Sequence, residues 1–131
     1  MFNRRLVLAT LVALPALAAA GPAFAADQMK FTQQAFDAAQ KAGQPILVEI
    51  TASWCPTCRA QKKVLSEILP KPEHDKLAVF EVDFDTQKDV VRAFNARMQS
   101  TLISFKGAKE TGRLVGVTKA DAIQKLVDAT L

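Results

Sequence analysis

Metal chemistry is short of ligands in this sequence: 131 residues hold two cysteines and one histidine, His74. Structural zinc takes four protein ligands, so one Cys pair and a distant His fall short within a single chain. A zinc or iron–sulfur site shared between two copies stays open. Covalent haem attachment wants a His directly after the second Cys of a Cys-x-x-Cys pair, and Arg59 stands there. Lys and Arg never gather into a block of five, and the net charge is only +4. The sequence therefore carries no electrostatic footprint for nucleic acid. No internal repeat is present, and outside the N-terminal apolar run no segment approaches the roughly 20 apolar residues of a membrane span.

An uncharged run rich in Leu, Val and Ala, Leu6 to Ala20, follows Arg4-Arg5, contains Pro15 and leads to Ala23-Phe24-Ala25. A basic start, a short apolar stretch and a small-x-small site make the layout of a secretory signal. The expectation is a signal peptide at residues 1–25, cleaved after Ala25, and a periplasmic mature protein. A permanent anchor is disfavoured by the shortness of the run. The Arg4-Arg5 pair also raises a twin-arginine route, but its surroundings match that signal poorly, which favours general secretion. No Cys lies near the cleavage site, so lipid attachment is not expected. Losing Arg4 and Arg5 lowers the net charge from +4 to +2. Residues 26–131 make one domain, large enough to fold without staples.

Both cysteines lie in that domain, at Cys55 and Cys58. An exported location permits a disulfide. Loop-closure stabilisation grows with loop length, however, so a bridge across two residues adds little to folding. The spacing points to redox chemistry instead of a structural staple.

Periodicity reads as α-β-α-β-α-β-β-α. A helix over 33–42, capped by Thr32 and stopped by Gly43, carries Ala35, Phe36, Ala39 and Ala42 on one stripe. A buried strand over 46–51 is apolar except for Glu49. A helix runs from Pro56, suited to the first turn, to about Leu69. A strand over 77–82, a helix over 86–95 and a strand over 101–105 follow. A loop over 106–112 leads to a strand at 113–117, and a last helix runs from 119 to 130 with Thr118 as its cap. Strands alternating with helices imply parallel pairing; the final two strands form a hairpin, so the sheet is mixed. His74 is expected as a solvated surface residue, and Lys62 and Lys63 on a solvated face.

A thiol attacks a disulfide only as thiolate. Cys55 at a strand-to-helix junction leaves its sulfur exposed at the sheet's carboxyl edge. It also meets the helix N–H groups and positive dipole end, which lower its pKa. Cys55 is the expected nucleophile. Cys58, one turn inside, is the expected resolving thiol. Glu49 interrupts an apolar strand; burial would raise its pKa and let it relay the Cys58 proton. A strand-end Glu that reaches water is the other reading.

Trp54-Cys55-Pro56-Thr57-Cys58 at the end of an apolar strand resembles the thioredoxin active site. The likeness runs through the mature chain, without an obvious first strand. Glu49 falls where thioredoxins keep a buried Asp, Asp85 where an Asp closes the next strand, and Phe94 where an aromatic stands. Thr101-Leu102-Ile103-Ser104-Phe105-Lys106 matches a further family strand, and Gly116 follows at the family's distance. The resemblance implies the thioredoxin fold: an α/β single domain with a central mixed sheet flanked by helices. It implies a thiol–disulfide oxidoreductase that needs no cofactor beyond its redox-active disulfide. Its partners would be protein thiols and disulfides and a membrane electron donor, such as a transmembrane thiol reductase, with the protein itself monomeric. Trp54, Pro56, Thr57, Ser100 and Thr101 would line the substrate groove.

Two departures stand out. Ser100 occupies the place of the family's cis-proline. A non-proline cis bond costs about 2.5–4 kcal/mol, so a trans bond is expected. Its hydroxyl is a candidate donor to the thiolate, and Ser100→Pro is expected to improve substrate pairing. Glu81 occupies the place of the Lys that usually partners the buried carboxylate. If Glu49 is buried with Glu81 near it, the two carboxylates would disfavour thiolate, which favours a reductant; a Glu81 that simply points to solvent is the other reading. The chain also lacks the large helical insertion of oxidant relatives. A dithiol oxidant and a thioredoxin-like binding or chaperone module without turnover remain the alternatives.

Overall fold

Six residues at the centre of the chain, Ile46 to Thr51, decide the architecture, because successive strand residues face opposite sides of a sheet. Ile46, Val48 and Ile50 enter one apolar cluster and Leu47 enters another. Glu49 and Thr51 share Leu47's face by the same alternation.

The computed structural model describes residues 26–131; the signal peptide expected at residues 1–25 lies outside them. The elements are β1 (Asp27–Lys30), α1 (Gln33–Lys41), β2 (Pro45–Thr51), α2 (Pro56–Ile68), a 3-10 turn at Pro72–His74, β3 (Ala78–Asp83), α3 (Lys88–Ala93), β4 (Thr101–Lys106), β5 (Lys109–Val115) and α4 (Ala120–Asp128). The strand order is β1-β3-β2-β4-β5. β3 pairs in parallel with β1 and with β2, whereas β4 runs antiparallel to β2 and to β5. Phe36 and Ala39 of α1 and Val91 of α3 pack on the Ile46 face; Leu65 and Ile68 of α2 and Ile123, Leu126 and Val127 of α4 pack on the Leu47 face. Helices thus cover both faces, as a sheet buried on both sides requires.

The Ile46 face is an aromatic core. Phe31, Phe36, Phe80, Phe94 and Phe105 meet with ring centroids 5.3–6.1 Å apart, mostly edge to face. All the polar features of interest therefore fall on the other face or at the sheet's ends.

Four expectations are corrected. A first strand exists: β1 pairs Asp27–Lys30 with Ala78–Glu81. It is short, polar and at the sheet edge, so it has no apolar alternation to betray it. β5 begins at Lys109, because the β4–β5 connection is tighter than a 106–112 loop and turns on Gly107, whose φ is +58°. α4 starts after Lys119 with no side-chain cap, so Thr118 plays no capping part.

His74 is the fourth: it is fully buried. Its Nδ1 lies 3.0 Å from the Ile68 carbonyl and its Nε2 3.1 Å from Asp128 Oδ1. The ring ties the end of α2 to the end of α4. His74→Ala should lower stability by about 2 kcal/mol, because it empties a buried site and strips partners from the Ile68 carbonyl and Asp128. For a domain of this size that is a drop in Tm of about 10 °C. A change under about 2 °C in a thermal melt would return His74 to the surface.

Candidate functional site

β2 runs directly into the site. After Thr51, the Ala52–Trp54 turn closes with the Cys55 N–H donating to the Ala52 carbonyl at 3.2 Å. Cys55 is then the N-cap of α2, in extended backbone conformation, with Pro56 at the first helical position. Pro56 offers no N–H there to leave unsatisfied. The Cys58 N–H, one of the helix's free first-turn donors, points at Cys55 Sγ from 3.1 Å. A sulfur fills the capping role usually taken by a Ser or Asp oxygen, and the same donor favours a negative sulfur.

Cys55 and Cys58 are joined as a disulfide with their Cα atoms 5.3 Å apart. Both residues are only 2% exposed, so the expectation of an exposed Cys55 sulfur fails for the disulfide form. Ala52 and Phe84 pack against the pair. A cleft of about 260 Å³ reaches Cys58 between Thr51, Ser53, Arg59 and Lys62.

Trp54 is half exposed, and its indole Nε1 donates to Asp85 Oδ2 at 2.8 Å. Asp85 is held in turn, its N–H donating to Asp83 Oδ1 at 2.8 Å. Bonds from the Thr86 and Asp85 N–H groups hold the Asp83 carboxyl below its ordinary range, the Thr86 contribution being the larger. Pro56 is exposed and Thr57 half-buried beside the disulfide.

Glu49 sits beneath α2, buried at 5% exposure, paired in register with Glu81 on β3 and Leu102 on β4. The strand-end reading is thereby excluded. Burial pushes its carboxyl up to about 7; Lys62 pulls the other way, and Glu81 adds to the rise. Lys62 Nζ donates to Glu81 Oε2 at 2.8 Å, with both side chains nearly half exposed. Lys62 lies on a solvated face, as expected, and from there its ammonium pairs with Glu81 and acts on Glu49. The ammonium that acts on Glu49 comes from the helix, one turn beyond Cys58, while the strand position where the resemblance implies a Lys holds Glu81.

No peptide bond among the described residues is cis, and Ser100 takes φ +56°. Its Oγ donates to the neighbouring Gln99 carbonyl at 2.6 Å, so the hydroxyl is turned from the thiolate role foreseen for it. A proline, fixed near φ −65°, cannot take this conformation, which reverses the benefit expected from Ser100→Pro. Thr101 opens β4 opposite Ile50, and its Oγ1 donates to the Met98 carbonyl at 2.8 Å. Met98 and Val115, both about half exposed, join Thr101 and Arg97 in a mostly apolar groove of about 280 Å³.

Gln61 went unnoticed in the sequence. Buried at 3% exposure, its Nε2 donates to both the Ser100 and Val117 carbonyls at 3.0 Å. Its signal was a polar residue three places after Cys58, on that residue's own helix face. Among the described residues, no cluster of three or more His, Cys, Asp or Glu side chains could hold a metal.

Residues 27–129 match the thioredoxin family model. The chain is 33% identical over 91 residues to a thioredoxin H-type of Fagopyrum esculentum, spanning 70% of this chain and 77% of that one. It is 31% identical over 94 residues to thioredoxin H4 of Arabidopsis thaliana, spanning 72% and 78%. Among solved structures, Trxlp from Edwardsiella tarda superposes with a TM-score of 0.75 at 36% identity, over 77% of this chain and 98% of that one. Malassezia sympodialis thioredoxin, 20% identical, shares the fold with a TM-score of 0.68 over 77% and 90% of the two chains.

Because burial raises the Glu49 pKa, folding selects its protonated form. That contribution is fully present below about 4.5 and is lost as pH rises through about 7. Glu49→Gln should therefore stabilise the protein at pH 8, by up to about 3 kcal/mol, and make little difference at pH 4. Urea unfolding at the two pH values measures this; equal effects at both would put the carboxylate in water. Lys62→Met should move the Glu49 midpoint up and Glu81→Gln should move it down, read by carboxyl NMR titration.

Proposed function

The chain belongs to the thioredoxin family, and from that premise we propose that this thiol–disulfide oxidoreductase serves as a reductant of disulfides in exported proteins. The observation that carries the thiol–disulfide chemistry, whichever its direction, is the Cys58 N–H directed at Cys55 Sγ across the first turn of α2, at 3.1 Å. With the pair reduced, the same donor and the helix dipole favour a Cys55 thiolate.

The Cys55 thiolate attacks one sulfur of a substrate disulfide. The substrate S–S bond breaks, a mixed disulfide forms and the first substrate thiolate leaves. Cys58 gives up its proton, with Glu49 as acceptor through the space beneath α2, and attacks Cys55 Sγ. The second substrate thiolate leaves, and the Cys55–Cys58 disulfide closes. Two electrons pass to the substrate, and both come from the cysteine pair. Resetting the pair takes an outside dithiol, for which a membrane electron donor is the fitting partner. Trp54, Pro56 and Thr57 line the docking region in this scheme, and Ser100 and Thr101, 4% and 1% exposed, support it from behind.

The reducing direction is supported by the charges under the helix. Glu49 and Glu81 both oppose a thiolate above them, and Lys62 offsets them only in part because its ammonium is already paired with Glu81. A less stabilised dithiol form makes the disulfide harder to reduce and the dithiol a better donor. The connection from β3 to β4 also holds only the six-residue α3, with no large helical insertion.

With a chemical reductant present, the protein should accelerate insulin disulfide reduction. Cys55→Ser should abolish this, and Cys58→Ser should accumulate the mixed disulfide. Glu49→Gln should slow turnover at neutral pH, since no carboxylate then accepts the Cys58 proton. Against glutathione the couple should equilibrate below about −220 mV; a value near about −120 mV would make it an oxidant. Export is checked by mass spectrometry of secreted protein, which should begin at Ala26; retained Met1 would overturn it.

A further inference from the structure

The loop that leads into β4 is tied to the redox helix one turn beyond Cys58, through Gln61, and contains no cis peptide. Three successive carbonyls are committed within the protein. Met98 accepts from Thr101 Oγ1, Gln99 from Ser100 Oγ, and Ser100 from both Gln61 Nε2 and the Gly116 N–H, the last at 2.9 Å. Of these donors only Gln61 comes from α2. It is the strut between the redox helix and the two loops that flank the sheet's end, one before β4 and one after β5.

The residue type fits the task. A carboxamide is the uncharged side-chain group whose single nitrogen carries two N–H donors, so it can serve two carbonyls without burying a charge. Leu at this place would fill the volume and leave the Val117 carbonyl without its Gln61 donor. Ser100, at φ +56°, lies in the left-handed region that a non-glycine residue takes only when its surroundings enforce it. Gln61 supplies part of that enforcement through the Ser100 carbonyl.

We infer that Gln61 is a positioning residue for protein-substrate docking: its carboxamide holds the Met98–Thr101 loop, in its trans form, in register with the Cys55–Cys58 pair. The inference rests on the disulfide-reductase reading and adds to it how an extended substrate segment finds a fixed edge without the cis-proline. It assigns the docking function to a helix residue instead of a loop residue.

The test compares the wild-type protein, Gln61→Leu and Gln61→Glu on insulin and on a small aromatic disulfide. Gln61→Leu should raise KM for insulin about tenfold, the loss of roughly one positioned contact, while kcat and the equilibrium potential move by less than about twofold. The small disulfide, which has no backbone to dock, should lose far less efficiency. Equal losses on both substrates, or no loss on either, would overturn the inference. Gln61→Glu decides the matter should the leucine variant not fold. An ionised carboxylate would face two carbonyl oxygens, and protonation restores one donor. Its KM for insulin should therefore improve as pH falls, relative to wild type; a ratio flat in pH overturns the inference. A wild-type protein that reduces neither disulfide refutes the reductase reading itself, which separates the two failures.

Discussion

One constraint governs the site: a strand ends, and within four residues a helix must begin with nothing but a sulfur to cap it. β2 delivers the chain to the sheet's edge, the Ala52–Trp54 turn reverses it, and Cys55 takes the position where a helix leaves its N–H groups unsatisfied. The Cys58 N–H answers by donating to Cys55 Sγ. Capping and redox tuning are then one interaction. Pro56 contributes by having no N–H to leave unsatisfied, and the disulfide closes over the same turn.

Beneath that turn the charge arrangement has been transposed relative to the family pattern. A carboxylate remains buried at Glu49, but the cation reaches it from the helix at Lys62, and the strand position holds a second carboxylate, Glu81. Lys62 serves two acids at once: it pairs with Glu81 at the surface and lowers the cost of ionising Glu49 inside. The cation thus sits on the element that carries the sulfurs, whereas a strand cation would belong to the sheet. Substitutions at 62 and 81 therefore act on the same proton through opposite signs.

Much of this was legible in the sequence because it rested on local pattern. The strand over Ile46–Thr51, the helix opened by Pro56 and the Cys pair at their junction follow from alternation, helix-start chemistry and spacing. Glu49 was legible as a polar break in an apolar strand, and the structure buries it. What escaped was long-range. β1 has too few residues and too much polarity to show a period. His74 looked like a loop residue because its partner Asp128 lies 54 positions away. Gln61 carries no sequence signal of its bonding partners because its acceptors at Ser100 and Val117 are 39 and 56 positions away. The Ser100 backbone was open until φ was known, since a missing proline removes one geometry without naming its replacement.

The His74 ring has a consequence for how the protein responds to reduction. It clamps the far end of α2 to α4, and Gln61 fastens the helix at mid-length to both neighbouring loops. Tied at its far end and at mid-length, the helix should respond as one stiff rod. When the two sulfurs part, the accommodation is confined to the four-residue elbow that feeds the rod, so the reduced and oxidised proteins should present partners with nearly the same outline.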